Sequence, residues 1–324
     1  MIHFISSELC MKKTVLTFLL IAICFNAVAD DFGVDSALRA TYENCVGIDE
    51  ALHDMKVLAG INTAVSGVGT GLGIGATAVG IAKKNVDAEI EEKFKTMEAL
   101  CYSASGETEI ASEEEFIESY DNTLRAKVQV NNDDIKKLDT AEAEEIRRLN
   151  EKSKKLGNWR TGLLAGNTAT NVAGAVISGT NKVKQPLQEQ IQNCISAVKS
   201  LSAAIMQAKI SGEDVSEATQ IESACKEFEY VDVSKINDRA TGGMVSSIVG
   251  SGTGLAGTIV SALANSDKVR TEDNNKEKNL NTAANVLAAG STVASATATV
   301  FNASQIKAIK DVARVAEQCT EVLK

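Results

Sequence analysis

The chain has 324 residues, of which 44% are hydrophobic and only 4% aromatic, with a formal net charge of −10, a single proline and seven cysteines. The acidic balance rules against a nucleic-acid binder, because the phosphate backbone rewards clustered positive charge. Scarce aromatic residues and the lone Pro186 rule against a strand-rich fold, which draws on aromatic and β-branched residues and on frequent Gly/Pro turns.

The first segment reads as a secretory signal over 1–29. Lys12 and Lys13 form a positive n-region, Val15 to Phe25 an apolar run, and Ala27-Val28-Ala29 a small-residue cleavage site before Asp30. Met11 is a possible true start, since Met-Lys-Lys directly precedes the apolar run. Export, to a periplasm, cell envelope or extracellular space, is the expectation.

Helical periodicity then runs along the chain. Leu38, Tyr42, Cys45, Ile48, Leu52 and Met55 recur at three- and four-residue spacing on one helical face, as do Val86, Ile90, Phe94, Met97 and Cys101. Ser112 and Glu115 resemble a capping box, and Ile135, Leu138, Ile146, Leu149 and Leu156 mark a charged amphipathic helix up to Trp159. Leu187, Ile191, Cys194, Val198, Leu201 and Ile205 form a stripe that begins at Pro186, which a first helical turn tolerates. Val215, Ile221, Cys225 and Phe228, and later Ile306, Ile309, Val312, Ala316 and Cys319, complete an all-α reading.

Four stretches, Val57 to Ala82, Thr161 to Asn181, Ala240 to Ser266 and Asn279 to Ile306, carry no charge and are rich in Gly, Ala, Ser and Thr. Each is long enough as a helix to cross a bilayer's hydrocarbon core. Gly67-Val-Gly-Thr-Gly71-Leu matches Gly250-Ser-Gly-Thr-Gly254-Leu, and Asn167-Thr-Ala-Thr-Asn171-Val matches Asn281-Thr-Ala-Ala-Asn285-Val. The expected fold is therefore two tandem long antiparallel helical hairpins, an elongated helical bundle. The first, 30–210, has a long charged connector, and the second spans 211–324. Counted from the stretch centres, Cys45 and Cys194 arrive at matching heights, as do Cys225 and Cys319. Those are the expected disulfides, with Cys101 left over.

Gly67, Gly71 and Gly75 repeat every four residues, as do Gly162 and Gly166, with Gly174 eight further on; Gly250 and Gly254 continue the theme. Such spacing aligns small residues along one helix side, where backbones approach closely. Glycine costs roughly 1 kcal/mol of helix propensity relative to alanine, so these residues are expected at packed faces, and Gly71→Leu is expected to be disruptive. Seven of the eight charges nearest the stretches are basic: Lys56, Lys83, Arg160, Lys182, Arg239, Lys278 and Lys307, against Asp267. Basic flanks suit an anionic membrane, whereas Asn167, Asn171, Asn281, Asn285 and Asn302 suit a bundle packed in water. Trp159 reads as an interfacial anchor or as a core cap.

Catalytic patterns are weak. Gly252-Thr-Gly254-Leu-Ala-Gly257 fits a dinucleotide fingerprint only in its glycines, without alternating strands and helices around it. His53 neighbours Asp49 and Asp54 on a helix face without further nitrogen ligands, and the acids from Glu107 to Glu118 lack a calcium-loop pattern. Neither a catalytic centre, nor a cofactor, nor a metal site is expected. The reading is an exported, non-enzymatic helical protein of the cell envelope, acting in structure or protein–protein interaction. It would self-associate through small-residue helix faces or bind envelope proteins, with possible contact to anionic membrane. The alternative is a secreted pore-forming or membrane-inserting protein.

Overall fold

The computed structural model describes residues 33–104, 141–272 and 274–324. The leader over 1–29, the Ser112/Glu115 capping box and the Glu107 to Glu118 cluster lie outside the described residues. All regular structure among the described residues is helical, in agreement with the periodicity. The α-helices are α1 (Val34–Cys45), α2 (Ile48–Ala104), α3 (Ala141–Thr180), α4 (Gln185–Ser211), α5 (Ser216–Cys225), α6 (Ser234–Ala264), α7 (Asp267–Glu272) and α8 (Asn274–Leu323), with a 3-10 turn at Lys226–Tyr230 after α5. Three helical segments, Val34–Thr96, Ser216–Ala264 and Asn275–Leu323, are long and apolar enough to cross a membrane; the one carrying Thr161 to Asn181 is not among them.

The chain divides into two compact units, each drawing on both predicted hairpins. Among the described residues, unit 1 comprises those up to Val57, Lys182–Asn237 and Ile306–Lys324; unit 2 comprises those within Leu58–Asn181 and Asp238–Gln305.

Unit 1 has a conventional apolar core. Ala37 of α1 packs with Leu201, Ala204, Ile205 and Ala208 of α4 and with Val215 and Ala218, and Val34, Leu38 and Ile221 cover the cluster. The α4 stripe falls where its spacing predicts: Ile191, Cys194, Val198, Leu201 and Ile205 are all buried. Pro186 sits in the first turn of α4, where its missing N–H has no helical partner to lose. The helix ends at Gly212, whose left-handed φ of +81° turns the chain so that the Glu213 N–H reaches Ala208 O at 3.0 Å.

Where the sequence predicts one unbroken face from Leu38 to Met55, the structure ends α1 at Cys45 and starts α2 at Ile48. Gly47, at a φ of +91°, makes the break. Asp214 and Asp232 accept the backbone N–H groups of Ser216 and Ser234 at the starts of α5 and α6. Those bonds hold both carboxyls below their ordinary range: for Asp214 the backbone N–H of Ser216 dominates, and for Asp232 the side chain of Ser234.

Both expected disulfides lie in unit 1. Cys45 is bonded to Cys194 and Cys225 to Cys319, with sequence separations of 149 and 94 residues. Between α5 and α6 the chain passes through the 3-10 turn, and Cys225 and Phe228 are both buried there. Closing loops this long removes unfolded-state entropy worth on the order of 5 kcal/mol each in the chain-entropy model. Replacing both cysteines of either pair by alanine is expected to lower stability by about 2–5 kcal/mol. Denaturant melts followed by helical circular dichroism check this; midpoints unmoved by either double substitution would show that the bridges do not stabilise the fold.

Candidate functional site

The distinctive site of the molecule is the interior of unit 2. Over its central stretch, flanked by the buried Ala59 and Val86 in α2, Ile146 and Leu149 in α3 and Ala240 and Ala264 in α6, the buried positions step mainly by alternating four and three residues. In α2 they are Asn62, Ser66, Gly69, Gly73, Ala76, Gly80 and Lys83, and in α3 Ser153, Gly157, Arg160, Leu164, Asn167, Asn171, Gly174 and Ser178. In α6 they are Gly243, Ser247, Gly250, Gly254, Gly257 and Ser261, and in α8 Asn281, Ala284, Ala288, Ser291, Ser295, Ala298, Asn302 and Gln305. This is the heptad spacing that keeps one seam of a helix facing its neighbours in a bundle. Its occupants are unusual: Leu164 is the one large apolar side chain in these four runs, and the rest are small, amide, hydroxyl or charged.

The seam is organised in hydrogen-bonded layers. In the first, the Asn62 amide donates to Ser178 Oγ at 2.6 Å, Ser178 Oγ donates to Asn302 Oδ1 at 3.3 Å, and the Asn302 amide donates to Ser66 Oγ at 2.9 Å. Gln305 adds a bond to Asn181 O at 2.8 Å. In the second, the Asn167 amide donates to Ser291 Oγ at 2.8 Å and Ser291 Oγ donates to Gly250 O at 2.7 Å. The Asn171 amide donates to Asn167 Oδ1 at 2.9 Å, and Ser295 Oγ sits 3.0 Å from both amide oxygens. A thin apolar layer of Ala76, Leu164 and Ala288, with Leu163 against it, follows.

Beyond that layer the interior becomes ionic. Arg160, fully buried, donates through Nε to Ser261 Oγ at 2.9 Å, through Nη1 to Asn285 Oδ1 at 3.1 Å and through Nη2 to Asn281 Oδ1 at 2.7 Å. Lys83, also fully buried, bridges Asp87 at 2.6 Å and Glu277 at 3.0 Å. Ser153 Oγ donates to the other Asp87 oxygen at 2.5 Å. Two cations thus face two carboxylates. The sequence marks Lys83 and Arg160 as basic flanks; the structure turns both inward because each finds acceptors on other helices. Just outside, Lys154 bonds Asp267 at 2.8 Å and holds that carboxyl below its ordinary range.

The glycines singled out by spacing occupy two kinds of place. A Cβ on Gly67, Gly71 or Gly162 would meet nothing within 4 Å, while on Gly75 and Gly166 it would meet only the side chains of Leu163 and Leu72. On Gly174 it would meet Ser247 Oγ at 3.2 Å and Asn62 Oδ1 at 3.4 Å, on Gly250 the Asn171 amide at 2.8 Å, and on Gly254 Thr168 Oγ1 at 2.6 Å. The close approaches of α2 fall instead at Gly69, Gly73 and Gly80, two residues out of step with Gly67 and Gly71. A Cβ there would meet Thr170 Oγ1 at 2.7 Å, Thr292 Oγ1 at 2.5 Å and the Asn285 amide, respectively. The signal that marks this face is Asn62 and Ser66, which stand in phase with Gly69 and Gly73. The matched hexapeptides also differ in environment, since Gly67 and Gly71 are open whereas Gly250 and Gly254 are packed.

The outside of unit 2 carries what the inside lacks. Val68, Ile74 and Ile81 of α2, Val172 and Val176 of α3, Val245, Ile248, Leu255, Ile259 and Leu263 of α6, and Val286, Val293 and Val300 of α8 are each at least half exposed. Trp159 joins them at 69% exposure, so it caps no core. His53 is exposed, and no group of three or more metal-ligating side chains occurs among the described residues. No family model, curated protein or solved structure matches the chain.

Two substitutions separate the glycine faces. Gly73→Leu is expected to cost 1–3 kcal/mol or more, because its new side chain would run into the α8 backbone at Thr292 Cα, 3.1 Å away. Gly71→Leu is expected to be neutral or stabilising by up to about 1 kcal/mol of helix propensity. Thermal melts of the two variants in one medium check the order, and equal losses would contradict the seam assignment. Asp87→Asn combined with Glu277→Gln removes the two carboxylates that face Lys83, and is expected to cost roughly 3–5 kcal/mol. A denaturant midpoint unchanged by that pair would show that the ionic layer does not hold unit 2 together.

Proposed function

We propose that the protein is an exported, non-enzymatic component of the cell envelope whose unit 2 is embedded in a membrane, built as two tandem antiparallel hairpins, with unit 1 as its disulfide-clamped aqueous part. One observation carries this reading: the polarity of unit 2 is inverted, with hydrogen-bonded amides, hydroxyls and charges inside and uncharged Val, Ile and Leu outside. In water this arrangement exposes a broad apolar surface and buries polar groups for no gain. In hydrocarbon the same arrangement is favourable, since apolar side chains meet lipid while polar ones bond across helices. The hairpin reading is supported by the order of contacts: Asn62 meets Ser178, Gly73 meets Asn167 and Asp87 meets Ser153, so one helix climbs as the other descends.

Tight glycine contacts such as Gly73 with Thr292 are made within the chain, which favours a bundle complete in itself over self-association through those faces. Most buried polar side chains of the interior are bonded to one another, Ser247 Oγ and one oxygen each of Asn62 and Gln305 excepted, which favours a structural span over the pore-forming alternative. The full mature chain with its disulfides formed is expected to float with liposomes, to resist extraction by alkaline carbonate and to release no entrapped dye. A monodisperse helical protein that stays at the bottom of the gradient with both anionic and neutral lipids would overturn the membrane reading. Flotation with leakage would replace the structural reading by the pore-forming one.

A further inference from the structure

The end of unit 2 that carries the ionic layer has features that a charge-free belt alone does not explain. Gly80 faces Asn285 and Arg160, Arg160 reaches Ser261, and Gly157 faces Asn265, so these contacts bring Ile81, Trp159, Leu263 and Val286 to within about a turn of one height on the outside. Each of the four chain segments then presents an exposed lysine within a turn or two: Lys84 after Ile81, Lys155 one turn before Trp159, Lys268 after Leu263, and Lys278 two turns before Val286. Spacings of three or four residues place Lys84 on the face of Ile81, Lys155 on that of Trp159 and, through the exposed Thr282, Lys278 on that of Val286.

Several acids of this end are paired, Glu91 with Lys278 among them. Asp87 and Glu277 close on the buried Lys83, and Asp267 on Lys154; Glu91, bonded to Lys95 at 3.0 Å, lies 3.7 Å from Lys278. The buried Lys83 is thus neutralised inside, while Lys84 and Lys155 stand exposed, Lys155 on the face of the exposed indole.

We infer that this end of unit 2 is a site for anionic phospholipid headgroups, with Trp159 at the boundary between headgroups and acyl chains and Lys84, Lys155 and Lys278 on the lipid phosphates. The inference rests on the membrane reading of unit 2 and adds to it a lipid class and a fixed depth. The chemistry is that of interfacial anchoring. An indole buries its ring in the acyl region and keeps its N–H in the polar layer, and lysine stems lie along apolar surface while their ammonium groups reach the headgroups. Anionic headgroups attract each such lysine by about the amount that changes partitioning fivefold.

Trp159 is the chain's only tryptophan, so its fluorescence reports this site alone. The full mature chain is mixed with vesicles of phosphatidylcholine, with or without phosphatidylglycerol, some carrying nitroxide labels at headgroup depth and others deep in the acyl chains. With anionic vesicles, the expected result is a blue shift of the emission and stronger quenching by the headgroup-level label. The Lys84→Gln/Lys155→Gln/Lys278→Gln variant, its helical signal and melting point matched to the parent, is expected to partition at least tenfold more weakly onto anionic vesicles and equally onto neutral ones. A chain that floats with unshifted emission, or whose triple variant partitions like the parent, overturns this inference and leaves the membrane reading standing. A chain that binds neither vesicle overturns both.

Discussion

Unit 2 depends on one requirement: most of its buried amides and hydroxyls must find partners, since each one left alone, as Ser247 Oγ is, costs folding a few kcal/mol. Its seam holds Asn62, Asn167, Asn171, Asn281 and Asn302 together with serines from all four long helices. An apolar seam tolerates small slips, because one methyl group substitutes for another. Here a slip of a single heptad would take Asn167 from Ser291 and Asn302 from Ser66 at once. Register is therefore specified by hydrogen bonding, and the glycines follow from it. Amide side chains such as Asn171 and Asn285 need space, and Gly250 and Gly80 provide it on the facing helix.

The two units solve the stability problem by different means. Unit 1 buries Ile, Leu, Val and Phe, and ties distant chain segments together with two disulfides. Unit 2 contains little apolar volume inside, so packing of small residues, layered hydrogen bonds and the Lys83–Asp87–Glu277 cluster with Arg160 carry its cohesion. Buried ion pairs of this kind contribute little net energy compared with apolar replacements, but breaking one side of them is costly, so they define a single arrangement more than they add stability.

Much of this architecture is legible in the amino-acid sequence. Helical periodicity marks α4 residue by residue, and counting from the stretch centres pairs the four cysteines of unit 1, because a rigid helix converts sequence separation into height. The inward face of α2 is harder to read. With glycine at 67, 69, 71, 73 and 75, four-residue spacing fits more than one stripe, and only the polar residues in phase, Asn62, Ser66 and Lys83, distinguish the one that faces inward. The fate of Lys83 and Arg160 is only partly legible: Asp87 lies one turn from Lys83, but Glu277, Asn281 and Ser261 lie on other helices more than a hundred residues away along the chain. The break at Gly47 is hidden because Cys45 and Ile48 are both buried, which preserves the helical spacing on either side of a turn.

If unit 2 lies in a membrane as proposed, a seam satisfied largely across helices has a consequence for biogenesis. A lone segment such as Thr161 to Asn181 would keep the Asn171–Asn167 bond but carry Asn167 and Ser178 into lipid without their partners Ser291, Asn62 and Asn302, a penalty that its few Val and Leu residues do not offset. Single-file insertion of the four helices is thus disfavoured: pairing must come before or together with immersion. On that reading, assembly of the helices is the condition for reaching the bilayer rather than an event that follows insertion.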